Sequence, residues 1–208
     1  MKRAFDIITS SVGLILLAPV FLVVAAAAWV TSGSPVLFHQ QRIGRRFHPF
    51  TIYKFRTMIV DAPNKGGPIT SGADPRITRL GAVLRRFKID ELPQLINVLK
   101  GDMSFVGPRP EMPEFVAMFE RDYREILQVR PGITDLASLK YRHEAEILEQ
   151  FENPQDAYLR CILPDKIRLA KEYVRQSSLL LDLGLILKTL FGLANGTTWK
   201  APVDRLAR

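Results

Sequence analysis

Two adjacent carboxylates, Asp90 and Glu91, follow the cations Arg85, Arg86 and Lys88 and precede Pro93. Ten residues on, Gly101-Asp102-Met103-Ser104-Phe105-Val106 leads into the rigid turn Gly107-Pro108-Arg109-Pro110-Glu111. Paired acids among fixed cations can hold a divalent metal ion and a phosphorylated substrate together, because metal and arginine offset the repulsion between carboxylate and phosphate. That is the composition of a site for phosphoryl-group chemistry. An Asp-Glu pair at a helix start is, by itself, an ordinary cap. A cap needs neither the neighbouring arginines nor the Gly-Pro-Arg-Pro turn. Arg76, Arg109 and Arg130 are solvated charges when read singly and a phosphate-binding set when read together. His39, His48 and His143 lack metal-ligand spacing, and no P-loop, Gly-x-Ser-x-Gly elbow or dinucleotide fingerprint is present.

The elements that must position these residues are legible in outline. Asp90 suits a helix N-cap, with Glu91 and Pro93 in the first turn, Leu95, Ile96, Val98 and Leu99 as apolar positions and Gly101 as the stop. The positive end of that helix would favour ionised acids. Ile77 to Phe87 has apolar residues at helical spacing, so Arg79, Arg85 and Arg86 cannot all face one side. Val36 to Met58 reads as a β-hairpin with a basic turn at Arg42-Ile43-Gly44-Arg45-Arg46. Asp61 to Pro75, with three glycines and three prolines in 15 residues, is expected to be a mobile loop next to the carboxylates and suited to act as a lid. Pro113 to Gln128 and Pro164 to Gln176 read as amphipathic helices, with Arg130-Pro131-Gly132-Ile133-Thr134 as a breaker between them. Leu179 to Phe191 is apolar but too short to span a bilayer, and contact with the membrane side is favoured over the core.

Ile7 to Val30 contains 24 residues without a charge, about 36 Å as a straight helix. A transmembrane helix is the plain reading, and the apolar continuation past Ala28 argues against a cleaved signal peptide. Pro19 at its centre should kink it. Lys2 and Arg3 before, and Arg42, Arg45 and Arg46 after, would both prefer the cytoplasm, which one span cannot satisfy. A re-entrant helix that enters one leaflet, bends at Pro19 and leaves by the same face satisfies both ends.

The 208 residues, 47% of them apolar, suffice for one folded unit, and the single cysteine, Cys161, excludes an internal disulfide and a cysteine metal cluster. Residues 1 to 110 carry 15 Lys and Arg against six Asp and Glu, while the remainder carries 14 against 15. The basic excess of the first part calls for anionic partners: lipid head groups, a nucleotide or nucleic acid. The expected fold class is α+β, mainly helical, with residues 1–33 as the re-entrant membrane helix and 34–208 as a cytoplasmic catalytic domain with interfacial helices.

On these residues the chain resembles the bacterial sugar transferases known as monotopic phosphoglycosyl transferases. The likeness runs through Lys2-Arg3 with Phe5-Asp6, Gln41-Arg42-Ile43-Gly44, Tyr53-Lys54-Phe55-Arg56-Thr57-Met58, Asp74-Pro75-Arg76-Ile77-Thr78, the Asp90 block, the Arg109 turn and Arg130-Pro131-Gly132-Ile133-Thr134. The resemblance implies a re-entrant helix broken at Pro19, a bacterial inner-membrane location with the active site on the cytoplasmic face, and a Mg2+ requirement. It also implies Asp90 as nucleophile, Glu91 as its dyad partner, both at the metal, and Arg76, Arg109 and Arg130 around the phosphates. The implied partners are a UDP-sugar donor, a polyprenyl phosphate acceptor and membrane lipid, with no nucleic acid; a homo-oligomer is left open. Two departures stand out. Phe47 occupies a position where family members commonly have Gly, and Asp135-Leu136-Ala137-Ser138-Leu139-Lys140 replaces a Gly and Ala-Gln-Val segment, which weakens inference of the donor sugar; an N-acetylated amino sugar is favoured over a plain hexose. The rival reading is a membrane-anchored, non-enzymatic nucleic-acid binder that stacks bases on Phe38, Phe47, Phe50 and Tyr53. It leaves Asp90 and Glu91 unemployed in a basic surface.

Overall fold

The computed structural model describes residues 1–72 and 74–195; the end of the expected catalytic domain, residues 196–208, lies outside the described residues. The apolar segment forms two helices, α1 (Lys2–Leu16) and α2 (Ala18–Ser32), bent by 59°. The break falls at Leu17, two residues before the expected kink. Pro19 lies in the first turn of α2, where its missing N–H would have had no helical partner. The Leu17 N–H still donates to Gly13 O and the Leu17 carbonyl accepts from Phe21, so the chain turns with little loss of bonding. No single helix among the described residues is long and apolar enough to cross a membrane, although the bent pair is in combination.

Both ends of the pair are fastened to the same body. Arg3 donates to Val98 O at 2.5 Å and Leu99 O at 2.8 Å, and the buried Asp6 accepts from Ser104 Oγ at 3.0 Å and Phe105 N at 3.2 Å. Lys2 Nζ reaches Val106 O and Tyr173 Oη, each at 2.8 Å, and the Asp182 carboxylate at 2.6 Å. At the far end Arg56 donates to Ser32 O at 2.5 Å and Gly33 O at 2.7 Å. Between these clamps Ile15, Leu16, Leu22, Val23 and Trp29 are exposed, while Val24 packs with Phe55 and Leu84 and Phe21, Ala25 and Ile89 lie against them.

The expected hairpin forms from β1 (Leu37–Ile43) and β2 (Pro49–Phe55), antiparallel, with Leu37 opposite Phe55 and Ile43 opposite Pro49. Its turn holds Arg46 and Phe47 at φ of 55° and 64°, a left-handed conformation that a side chain disfavours, which is where the departure from Gly at Phe47 is felt. Next comes α3 (Arg79–Arg86), capped by Thr78, whose hydroxyl accepts from the Gly81 N–H at 2.9 Å. Arg79 and Arg86 are exposed and Arg85 turns inward. Then α4 (Gln94–Lys100) ends at Gly101 in the left-handed region, the stop expected there.

Phe50 and Ile52 of β2 pack against Val98 and Met103. The fully buried Asn97 of α4 serves the free edge of β2, accepting from Tyr53 N at 3.1 Å and donating to Thr51 O at 2.7 Å. The stretch Arg130 to Thr134, expected to break structure, instead contributes a strand: β3 (Ser104–Val106) pairs in parallel with β4 (Gly132–Thr134). A Cβ on Gly132 would lie 2.1 Å from Gly107 N, so glycine lets the two chains meet. The single helix expected over 113–128 is two, α5 (Pro113–Met118) and α6 (Glu120–Ile126), because Phe119 leaves helical geometry at φ −120° and ψ 34°. After β4 come α7 (Leu136–Lys140), α8 (Glu144–Leu148) and α9 (Pro154–Ala157), a π-turn at Tyr158–Ile162, α10 (Leu163–Gln176) and α11 (Leu179–Asn195). The main core lies among α5 to α10. The helix α11 buries Leu185 and Asp182 and exposes Leu180, Leu187, Leu190 and Phe191.

Candidate active site

Lys88, at φ 58° and ψ 21°, ends the path from α3 and turns the chain. Ile89–Glu91 then form one tight 3-10 turn, and Pro93 precedes α4. Asp90 therefore is not the N-cap of α4: it makes no capping bond, and the helix starts four residues later. Its side chain is turned inward, and Oδ1 is buried without a hydrogen-bond partner. A buried carboxylate oxygen left unpaired is costly, so this turn is not organised for stability alone.

Its neighbour has the opposite environment. Glu91 Oε1 accepts from Arg109 Nη2 at 2.6 Å and from Lys54 Nζ at 2.9 Å. Burial pushes the Glu91 carboxyl up, but Arg109 and Lys54 outweigh it and hold the group well below the usual carboxylate range. For Asp90, burial and the adjacent Glu91 charge raise the carboxyl above its usual value, against the pull of Lys54, Lys88 and Arg85. The expectation that a helix dipole favours ionised acids does not carry over: both acids precede α4, and Asp90 is raised by burial and Glu91 while Glu91 is lowered by Arg109 and Lys54. One acid is locked as an ion-pair partner; the other is the more basic carboxylate, with an oxygen to spare.

Of the five side chains read as a site, Asp90, Glu91 and Arg109 come together. Arg76 is buried and clamps the Asp61–Pro75 loop: it pairs with Asp74 at 2.6 Å and donates to Gly67 O at 2.9 Å. The loop expected to be mobile is thus bonded to the residue that follows it. Arg130 Nε donates to Gly101 O at 2.7 Å, at the opposite end of α4 from the acids. Beyond these five, Lys54, Arg85 and Asp135 complete the site; Arg85 is read from the sequence as one of its cations, and Lys54 and Asp135 are not read there as site residues. Lys54 falls on the same face of β2 as Phe50 and Ile52, so a lysine at an inward position of an alternating strand was the available signal. Arg85 bonds Thr57 Oγ1 at 2.8 Å and carries its charge toward Asp90. Asp135 accepts from the Arg109 N–H at 3.1 Å.

Among the described residues no group of three or more His, Cys, Asp or Glu side chains is placed to hold a metal ion. Mg2+ does not require one, since it binds through one or two carboxylates plus phosphates and water. The unpaired Asp90 oxygen beside Glu91 fits that limited donor set. The aromatic residues of the nucleic-acid reading do not form one platform. Phe50 is in the core, and Phe38 and Tyr53 lie on opposite faces of the hairpin by register.

A helical body with a small hairpin, a bent apolar helix pair and an Asp-Glu turn among cations defines a class, and comparison with known proteins agrees. The chain belongs to the bacterial sugar transferase family, whose model matches residues 1–196. It is 36% identical over 202 residues to UDP-N-acetylgalactosamine-undecaprenyl-phosphate N-acetylgalactosaminephosphotransferase of Aeromonas hydrophila, covering 94% of this chain and 44% of that one. It is 35% identical over 199 residues to UDP-glucose:undecaprenyl-phosphate glucose-1-phosphate transferase of Escherichia coli (strain K12), covering 92% and 39%. With the exopolysaccharide production protein PSS of Rhizobium leguminosarum bv. phaseoli it shares 38% over 199 residues, covering 91% and 93%. The chain thus spans less than half the length of the first two and nearly all of the third.

Proposed function

We propose that this protein transfers a sugar 1-phosphate from a UDP-sugar to a membrane polyprenyl phosphate, the undecaprenyl form named for its relatives, in the first membrane step of polysaccharide or glycoconjugate assembly. The observation that carries the reading is Asp90: a buried carboxylate with an unpaired oxygen, ringed by Lys54, Arg85, Lys88 and the Glu91–Arg109 pair.

In the first step an Asp90 oxygen attacks the β-phosphorus of the donor. The bond from that phosphorus to the bridging oxygen breaks, UMP leaves with the electron pair, and the sugar phosphate remains on Asp90 as an acyl phosphate. In the second step an oxygen of the polyprenyl phosphate attacks the same phosphorus, giving the polyprenyl diphosphate sugar and freeing Asp90. The raised basicity of Asp90 makes it the better nucleophile of the pair, while Glu91 holds Arg109 in place. Arg109 then faces the charge that develops on the phosphoryl oxygens. Mg2+, held by Asp90 and Glu91, would neutralise phosphate charge when bound. Arg76 and Arg130 brace the Asp61–Pro75 loop and the end of α4, one step removed from the reacting atoms.

The bent pair supplies the address. With Lys2, Arg3 and Arg56 fastening both ends to one body, the exposed apolar bend enters and leaves by the same membrane face. Gly13 of α1 packs on Leu95 and Ile89 packs against the α2 cluster, so the carboxylate turn sits at the root of the inserted segment. A long isoprenoid phosphate presents its head at that depth, on what we take to be the cytoplasmic face of the bacterial inner membrane.

Purified protein with Mg2+, a panel of UDP-sugars and polyprenyl phosphate should release UMP, and donor alone should leave a sugar-phosphate mass adduct on Asp90. Product formation with no adduct, or near-normal turnover by Asp90→Asn, removes the covalent step. For topology, in a Cys161→Ser background, a cysteine ahead of Met1 and Ser34→Cys should both react with a reagent confined to the cytoplasmic side; labelling of only one restores a full span.

A further inference from the structure

A second buried carboxylate lies behind the Arg109 turn, and the transfer steps make no use of it. Asp135 is 2% exposed, and each of its oxygens takes a backbone N–H: Oδ1 from Ser138 at 2.6 Å, Oδ2 from Arg109 at 3.1 Å. The Ser138 bond caps α7. The Arg109 bond completes an interrupted ladder. Gly107 N–H donates to Thr134 O at 3.1 Å, and the next donor on that edge is Arg109, since Pro108 and Pro110 have no N–H. The matching carbonyl would come from beyond Asp135, where the chain has already left β4 for α7. The Asp135 side chain stands in for it, and as a charged acceptor it is stronger than the amide it replaces.

We propose that Asp135 is a positioning residue for the transfer reaction, resting on the function given above: it fixes the backbone of Arg109 so that the guanidinium meets Glu91 at 2.6 Å. The link runs from α7 through Asp135 to the Arg109 backbone, then through the guanidinium to Glu91 and the dyad. Without it the Arg109 N–H loses its Asp135 acceptor between two prolines, and the turn relaxes.

A double-mutant cycle with Arg109 tests this. Asp135→Ala should lower the kcat of UMP release roughly 10- to 100-fold, as small displacements of catalytic groups do. In an Arg109→Ala background the same change should cost less than about twofold, since the group being positioned is gone. Equal losses in both backgrounds would reduce Asp135 to a structural role. Asp135→Asn, which keeps the shape and one acceptor, should fall between the parent and Asp135→Ala and guards against a variant that does not fold. An arm independent of turnover follows the guanidinium resonance of Arg109 in protein labelled with 15N-arginine, assigned by its loss in Arg109→Lys. Its hydrogen exchange should speed up in Asp135→Asn; unchanged exchange overturns the proposal. If the parent protein made no product with any donor, the transferase reading would fall while this arm still decided the role of Asp135.

Discussion

The two ends of α4, about 10 Å apart for a seven-residue helix, are built to different purposes. At the C-terminal end Arg3 holds Val98 O and Leu99 O, Arg130 holds Gly101 O, and Asn97 serves the edge of β2. At the other end an acid lies buried with an oxygen unpaired, next to a second acid drawn down by two cations. One end satisfies its polar groups and fixes the fold; the other tolerates an unsatisfied group, as the proposed chemistry requires. On that proposal, stability and function are divided between the two ends of a single short helix.

The sharpest way to break this contrast is Asp90→Asn. If Asp90 is the nucleophile as proposed, transfer should fall on the order of 10^4- to 10^6-fold, the range for losing a member of a nucleophilic catalytic unit, while Tm rises because a carboxylate whose ionisation is disfavoured by burial has been removed. A lower Tm would show that Asp90 stabilises the fold after all. Arg109→Ala should cost about 10^2- to 10^3-fold in kcat and also lower Tm, since Glu91 keeps only Lys54. The pH dependence of stability sharpens the same point. The Glu91 carboxyl is lower in the folded protein than its ordinary 4.5, so its stabilisation is present at neutral pH and lost as pH falls below that value. Glu91→Gln should flatten this acid limb of a Tm-against-pH curve. At the anchoring end, Arg3→Ala and Arg130→Ala should each cost about 1 to 3 kcal/mol in denaturant unfolding, with kcat of the folded fraction changed less than about threefold. A collapse of kcat in Arg130→Ala would move that residue to the phosphates. The smallest effect is expected at the hairpin tip, where Phe47→Gly relieves a left-handed φ of 64° and should add up to about 1 kcal/mol.

What could be read in the sequence followed the physics that is local. Helical spacing located α3 and α10, alternation located the hairpin, and Gly101 ended α4 as its conformational freedom suggests. The break in the apolar segment was legible to within two residues, because Pro19 marks a helix start as readily as a kink. The failures involve partners remote in sequence. Nothing near Gly132-Ile133-Thr134 announces that it pairs with Ser104-Phe105-Val106, since parallel pairing of two three-residue strands leaves no alternation to detect. The Asp90 pair was visible, but its unequal charging was not. That depends on Lys54 and Arg109, one 37 and the other 18 residues from Glu91. Arg76 and Arg130 looked like members of the site by type alone. Their bonds to Asp74, the loop carbonyls and Gly101 O are ones that no composition encodes.

The clamps at Lys2 and Arg56 have a mechanical corollary. A helix anchored at only one end can slide when leaflet thickness changes; if the bent pair inserts into one leaflet as proposed, being bolted at both ends leaves a tilt of the whole molecule as the remaining adjustment. Such a tilt would raise or sink the Asp90 turn relative to the plane of lipid phosphates. On that proposal, acyl-chain length in the surrounding bilayer should act as a throttle on turnover without any ligand.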